Sequence, residues 1–98
     1  MADFCITAVK YDKEHDRIAW VQAREELGRD KVGPWRWVSR VFAVDLIRMG
    51  KASFQTRTQD RNGNWVKGAP VVVYADKFLT TEGNRTERDN LGELPEVS

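Results

Sequence analysis

Cysteine is almost absent: Cys5 is the only one, which excludes an intrachain disulfide and a multi-cysteine zinc site. In a strand-like setting, with no base among its sequence neighbours, it reads as a small buried hydrophobe rather than a nucleophile. Histidine is as scarce, and His15 sits in the charged turn "DKEHD", where solvation is the ordinary outcome. The surrounding Asp12, Glu14 and Asp16 lack the glycine and the distal glutamate of a calcium loop, so no metal site is expected. Glycines occur singly and build no phosphate loop. No convergent set of acid, base and nucleophile emerges, and the chain is read as non-enzymatic, without a cofactor. Net charge is nearly absent too, with 16 basic residues against 15 acidic, so no global field draws the protein to nucleic acid or an anionic surface. Long apolar runs are missing. "VFAV" and "VVVYA" are far short of a membrane span, and "MADFCITAVK" has no basic-then-apolar leader, which together give a cytoplasmic reading.

What is present fits a single domain over residues 1–98: a second core would leave each half too small, and 41% hydrophobic content is enough to order one. Phe4 to Val9 alternates as a strand, "YDKEHDR" reads as a turn and "RIAWVQAR" as the partner strand of a hairpin. Glu25 to Trp37, "EELGRDKVGPWRW", reads as the longest internal loop because Gly28, Gly33 and Pro34 interrupt it. In "SRVFAVDLIRMG", Ser39 is placed to cap a helix and Gly50 to end it, so a helix is expected over Ser39–Met49. Its apolar residues Val41, Phe42, Val44, Leu46, Ile47 and Met49 predict that it is largely buried. Ala52 to Gln59 alternates again, Asn62-Gly63 suits a tight hairpin turn, and "WVKGAPVVVYA" returns with a bulge or an edge at Gly68 and Pro70. A short strand over Lys77–Thr81 completes an α+β domain with one helix on a mainly antiparallel sheet of about five strands.

The ending "FLTT", a polar gap and "DNLGELP" falls on Leu79, Thr80, Thr81, Asp89, Asn90, Leu91, Leu94 and Pro95. With "ITAVKYDKEHDRI" and "LIRMGKASFQT" it resembles domain-of-unknown-function family 3892, a set of small bacterial and phage proteins. Glu82 stands where the family pattern has an aspartate, and "EELGRDKVGPWRWV" looks like an addition to it. The resemblance implies a fold and no chemistry. The motif reads physically as a lock: Leu91 and Leu94 fill an apolar groove, Asn90 bonds backbone, and Thr80 and Thr81 hydrogen-bond the returning chain.

The segment "GPWRWVSR" is the functional candidate. Trp35, Arg36, Trp37 and Arg40 combine the two residue types that most often anchor protein interfaces, and the same types stack bases and grip phosphates. A purely structural role, with the two rings covering one end of the sheet, stands beside both. Arg57, Arg61 and Lys67 around the Asn62-Gly63 hairpin supply a secondary basic surface. The expectation is a module that binds an unknown protein, a host complex if the phage context holds. The alternative is a nucleic-acid binder using the same loop and the basic hairpin. It has no membrane partner, and is a monomer or a weak dimer through an edge strand that Pro70 would obstruct.

Overall fold

The computed structural model describes residues 2–13, 17–75, 78–81 and 94–97. Seven strands and one helix follow in the order β1 (Phe4–Tyr11), β2 (Ile18–Gly28), β3 (Lys31–Val32), β4 (Arg36–Ser39), α1 (Arg40–Arg48), β5 (Phe54–Gln59), β6 (Trp65–Tyr74) and β7 (Phe78–Thr81). The sheet runs β3-β2-β1-β5-β6-β7, with β4 also paired to β2. All pairings are antiparallel except β1 with β5. The expected class is therefore right and the strand count too low. The two extra strands lie where a loop was expected.

That segment is ordered by a turn the sequence hides. Gly28 pairs with Lys31, and the two residues between them, Arg29 and Asp30, both have positive φ, 53° and 59°. Positive φ at both central positions is the two-residue hairpin turn whose twist matches paired strands. After it, Gly33 N–H donates to Glu25 O at 2.9 Å, and Arg36–Ser39 lie along Ala23–Trp20.

The helix starts and stops where its end signals place it. Ser39 Oγ accepts from Phe42 N–H at 3.1 Å. At the other end Gly50 N–H donates to Ile47 O and Lys51 N–H to Leu46 O, with Gly50 at φ 68°. This reciprocal pair is the usual glycine-terminated closure. Burial departs from expectation: only Ala43 and Val44 are buried, while Val41, Phe42 and Met49 are exposed, Phe42 by 54%. A helix of nine residues presents about two and a half turns, and small side chains at its centre bring it close to the sheet while the flanking large ones overhang.

The core on this side combines Ile6, Ile18, Val21, Ala23, Ala43, Val44, Phe54, Val71 and Leu79, with Phe4 and Phe54 stacked at 5.5 Å. Burying such residues at about 1.5–3 kcal/mol for each large side chain dominates stability. The β5–β6 turn differs in detail from the tight Asn62-Gly63 form. Asp60 N–H donates to Asn64 O and Gly63 N–H to Asp60 O. Gly63, not Asn62, takes positive φ, which gives a three-residue loop. The bulge expected at Gly68 is present: Gln55 pairs with Pro70 but Arg57 with Lys67, and Ala69 N–H donates to Thr56 Oγ1 at 3.0 Å. Pro70 pairs with Gln55 of β5, and it lies one residue before the stretch of β6 that pairs with β7, which begins at Val71.

The lock expected of the tail is visible in part. β5 follows β1 only from Phe4 to Ile6. Farther along, Val9 bridges Glu96 in parallel, accepting from Val97 N–H at 2.8 Å and donating to Pro95 O at 2.9 Å. The tail thus takes up backbone groups of β1 that β5 leaves, and Leu94 enters the core. Thr80 and Thr81 are buried, and Thr80 Oγ1 donates to Thr81 O at 3.3 Å. Leu91, Asn90 and Asp89 lie outside the described residues, as do Glu14, His15 and Asp16.

Candidate binding face

α1 covers one face of the sheet; the other carries the tryptophans. Along β2, Trp20, Gln22, Arg24 and Glu26 alternate with the core residues Val21 and Ala23, so they project away from the helix. Trp37 pairs with Gln22 and shares that face, whereas Arg36 pairs with Ala23 and Val38 with Val21 on the helix side. Trp35, just before β4, meets Trp37 edge-on at 6.4 Å between ring centroids. Trp65 joins them from β6: with Gln22, Arg24, Thr7, Pro95 and Val97 it lines a shallow basin on this face. Trp20 is 45% and Trp35 54% exposed, and Trp37 and Trp65 are half-buried.

The four residues expected to form one site are therefore divided by strand alternation. Trp35 and Trp37 belong to the face opposite α1. Arg36 lines a small apolar groove with Phe4, Val38, Phe42, Leu46 and Phe54 on the helix side. Arg40 opens α1 and is half-buried. Trp20 and Trp65 also lie on the face opposite α1. The period-two spacing of Trp20, Gln22 and Arg24 is the signal that would have joined them to Trp37.

Arginines hold this face together. Arg24 Nη1 donates to Gly33 O at 3.1 Å, and its guanidinium lies 4.9 Å from the centroid of Trp65, tying the β2–β3 hairpin to β6 through a cation–π contact. Its Nε is buried without a hydrogen-bond partner. Arg57, expected on an exposed basic surface, is instead 1% exposed. Its Nε donates to Glu26 Oε2 at 2.7 Å, and its Nη1 to Asp30 Oδ1 at 3.1 Å and to Trp65 O at 3.2 Å. Gln55 Nε2 adds a bond to the same Glu26 oxygen at 2.6 Å. The β2–β3 hairpin, absent from the expected fold, is what covers Arg57. Arg61 and Lys67 are exposed as expected.

The charges respond to this packing. Burial of the Glu26 carboxyl opposes ionisation, yet hydrogen bonds from Arg57 and Gln55 outweigh it and hold Glu26 below the usual carboxylate range. The hydrogen bond to Glu26, with Asp30 in addition, raises Arg57 further above its already high value. Burial first, then the Glu26 carboxylate, pushes the Cys5 thiol up to about 11, so it stays protonated at neutral pH. Among the described residues no cluster of histidine, cysteine and carboxylate side chains is arranged to hold a metal ion, and no helix is long and apolar enough to cross a membrane.

Residues 5–95 match the model of a family described as a protein of unknown function, DUF3892. The match spans nearly the whole chain, and the protein belongs to that family. No curated protein and no solved structure matches it.

Proposed function

We propose that the chain is a small non-enzymatic binding module whose partner is another protein, seated on the face opposite α1 around Trp20, Trp35 and Trp37. The observation that carries this reading is the joint exposure of Trp20 and Trp35 beside Trp37 on the sheet face opposite α1. A monomer has no folding reason to place large flat rings together in water. In an interface each ring removes about 150–250 Å² from solvent with few torsions to freeze. The module is read as cytoplasmic, a monomer or weak dimer, and a host complex blocked by a phage protein would be a partner of this kind.

Pull-down with the wild type and with Trp20→Ala plus Trp35→Ala tests the reading, with thermal melts confirming that both fold. The wild type should retain partners at high salt that the variant loses, and equal recovery would remove the assignment. A second reading, single-stranded nucleic acid on the same rings, draws on Arg24 over Trp65 and on Lys10 opposite Trp20. It predicts a steep fall of affinity with salt, because cations that neutralise phosphates release counterions. A salt-insensitive complex counts against it.

A further inference from the structure

The β2–β3 and β5–β6 hairpins stand side by side and leave a cleft of about 690 Å³. Arg29, Asp30 and Lys31 form one wall, and Trp65 and Lys67 belong to the other. An adjoining recess reaches down to Arg57 and Glu26. Among the described residues no ion pair engages Arg29, Lys31 or Lys67. Glu26 is committed to Arg57 and Gln55, so among the described residues the one acid at the rim is Asp30, whose side chain is 66% exposed. The rim is therefore positive, although the whole chain is nearly neutral.

Two further features narrow the ligand. Arg57, in the adjoining recess, is fixed by Glu26 on one side and by Trp65 O on the other, and its Nη1 also donates to Asp30 at the rim. A pre-positioned guanidinium binds phosphate oxygens with little loss of entropy. Trp65 borders the cleft with Arg24 against its ring, and an indole wall beside cations is a stacking surface for a planar base. We propose that this cleft binds a nucleoside phosphate, with phosphates between Arg29, Lys31 and Lys67 and the base against Trp65. The site shares Trp65 with the tryptophan face but contains none of Trp20, Trp35 and Trp37.

Titration of the full chain with ATP, CTP and tripolyphosphate, followed by amide and indole NMR signals, tests this. Both nucleotides should shift the Arg29–Lys31 and Trp65–Lys67 amides, and only the nucleotides should move the Trp65 indole N–H. Lys31→Ala plus Lys67→Ala removes two exposed charges and should weaken ATP on the order of tenfold. Asp30→Asn keeps a side chain that tolerates positive φ, removes the competing carboxylate, and should tighten ATP by roughly threefold or more. The proposal is overturned by absence of shifts at millimolar ATP, by equal affinity of wild type and the double-lysine variant, or by shifts centred on Trp20 and Trp37. An oligothymidylate strand that binds where ATP and CTP do not would overturn the free nucleotide as ligand. Protein capture by the double-lysine variant should remain intact, which separates failure here from failure of the partner-face reading.

Discussion

The two faces of this sheet are closed by different physics. Under α1 the layer is apolar and built from small residues: Ala23, Ala43 and Val44 let the helix approach, and Ile6, Phe54 and Leu79 fill the space around them. On the other face Cys5 and Thr7 are buried just as fully, but among polar groups: Glu26, held by Gln55 and Arg57, lies against Cys5, and Thr7 Oγ1 donates to Gln22. An apolar layer tolerates loss of any one member in proportion to the volume removed. A charged layer does not, because each partner left behind is an unpaired buried ion.

The largest effect that follows is on Arg57. Arg57→Ala leaves the Glu26 carboxylate buried and should cost about 3–5 kcal/mol, read from urea denaturation. Replacing both partners, Glu26→Leu with Arg57→Met, should recover most of that loss, and equal costs for the single and double changes would show that the pair contributes only packing. The pH dependence has a definite sign. Glu26 titrates lower when folded than when unfolded, so its contribution is full above the unfolded carboxylate value, about 4.3. It fades as pH falls through the lower, folded value. Wild type should therefore lose stability below about pH 4.3, and Glu26→Gln should show a smaller acid slope there.

The same contrast explains what was legible in the sequence. Elements with local signals were read correctly: alternation gave β1 and β5, the turn at Asn62-Gly63 gave β6 as the returning strand, Ser39 and Gly50 bracketed α1, and Gly68 marked the bulge. The β2–β3 hairpin was missed because its positive-φ positions are held by Arg29 and Asp30, residue types that carry no turn signature comparable to Asn-Gly. That omission propagated. Without the hairpin nothing lies over Arg57, and a charged residue on an alternating strand reads as solvated. The helix was overestimated for the opposite reason: six apolar side chains crowd a short element, and periodicity cannot say which of them the sheet has room to meet. The tryptophan pair was located, but Arg36 was grouped with it although strand alternation turns it to the other face.

A medium effect is expected at the bulge, where the two layers meet β6. A Cβ at Gly68 would overlap Thr56 Oγ1, the acceptor for Ala69 N–H. Gly68→Ala should cost about 1–3 kcal/mol, as overpacking usually does. In a double-mutant cycle, adding Thr56→Ala to Gly68→Ala should cost less than it does in the wild-type background, because there it also relieves the clash. Strict additivity would mean that the bulge relaxes without contact between the two side chains.

The smallest effect belongs on the apolar side, at a residue that looks as if it should matter most. Phe42 is the largest side chain of α1, yet it is 54% exposed and stands over the groove that Arg36, Val38 and Phe54 line. Phe42→Ser keeps the backbone bond to Ser39 Oγ and should change stability by only about 1 kcal/mol, far below the 3–5 kcal/mol typical of a buried phenylalanine. A loss of the buried size would show that the groove is closed by Phe42 in solution and that the helix covers more of the sheet than its exposed side chains imply. A small loss would show that the helix face is held by its small buried residues and not by its largest ring, since an overhanging ring keeps its contact with water and Arg57 does not.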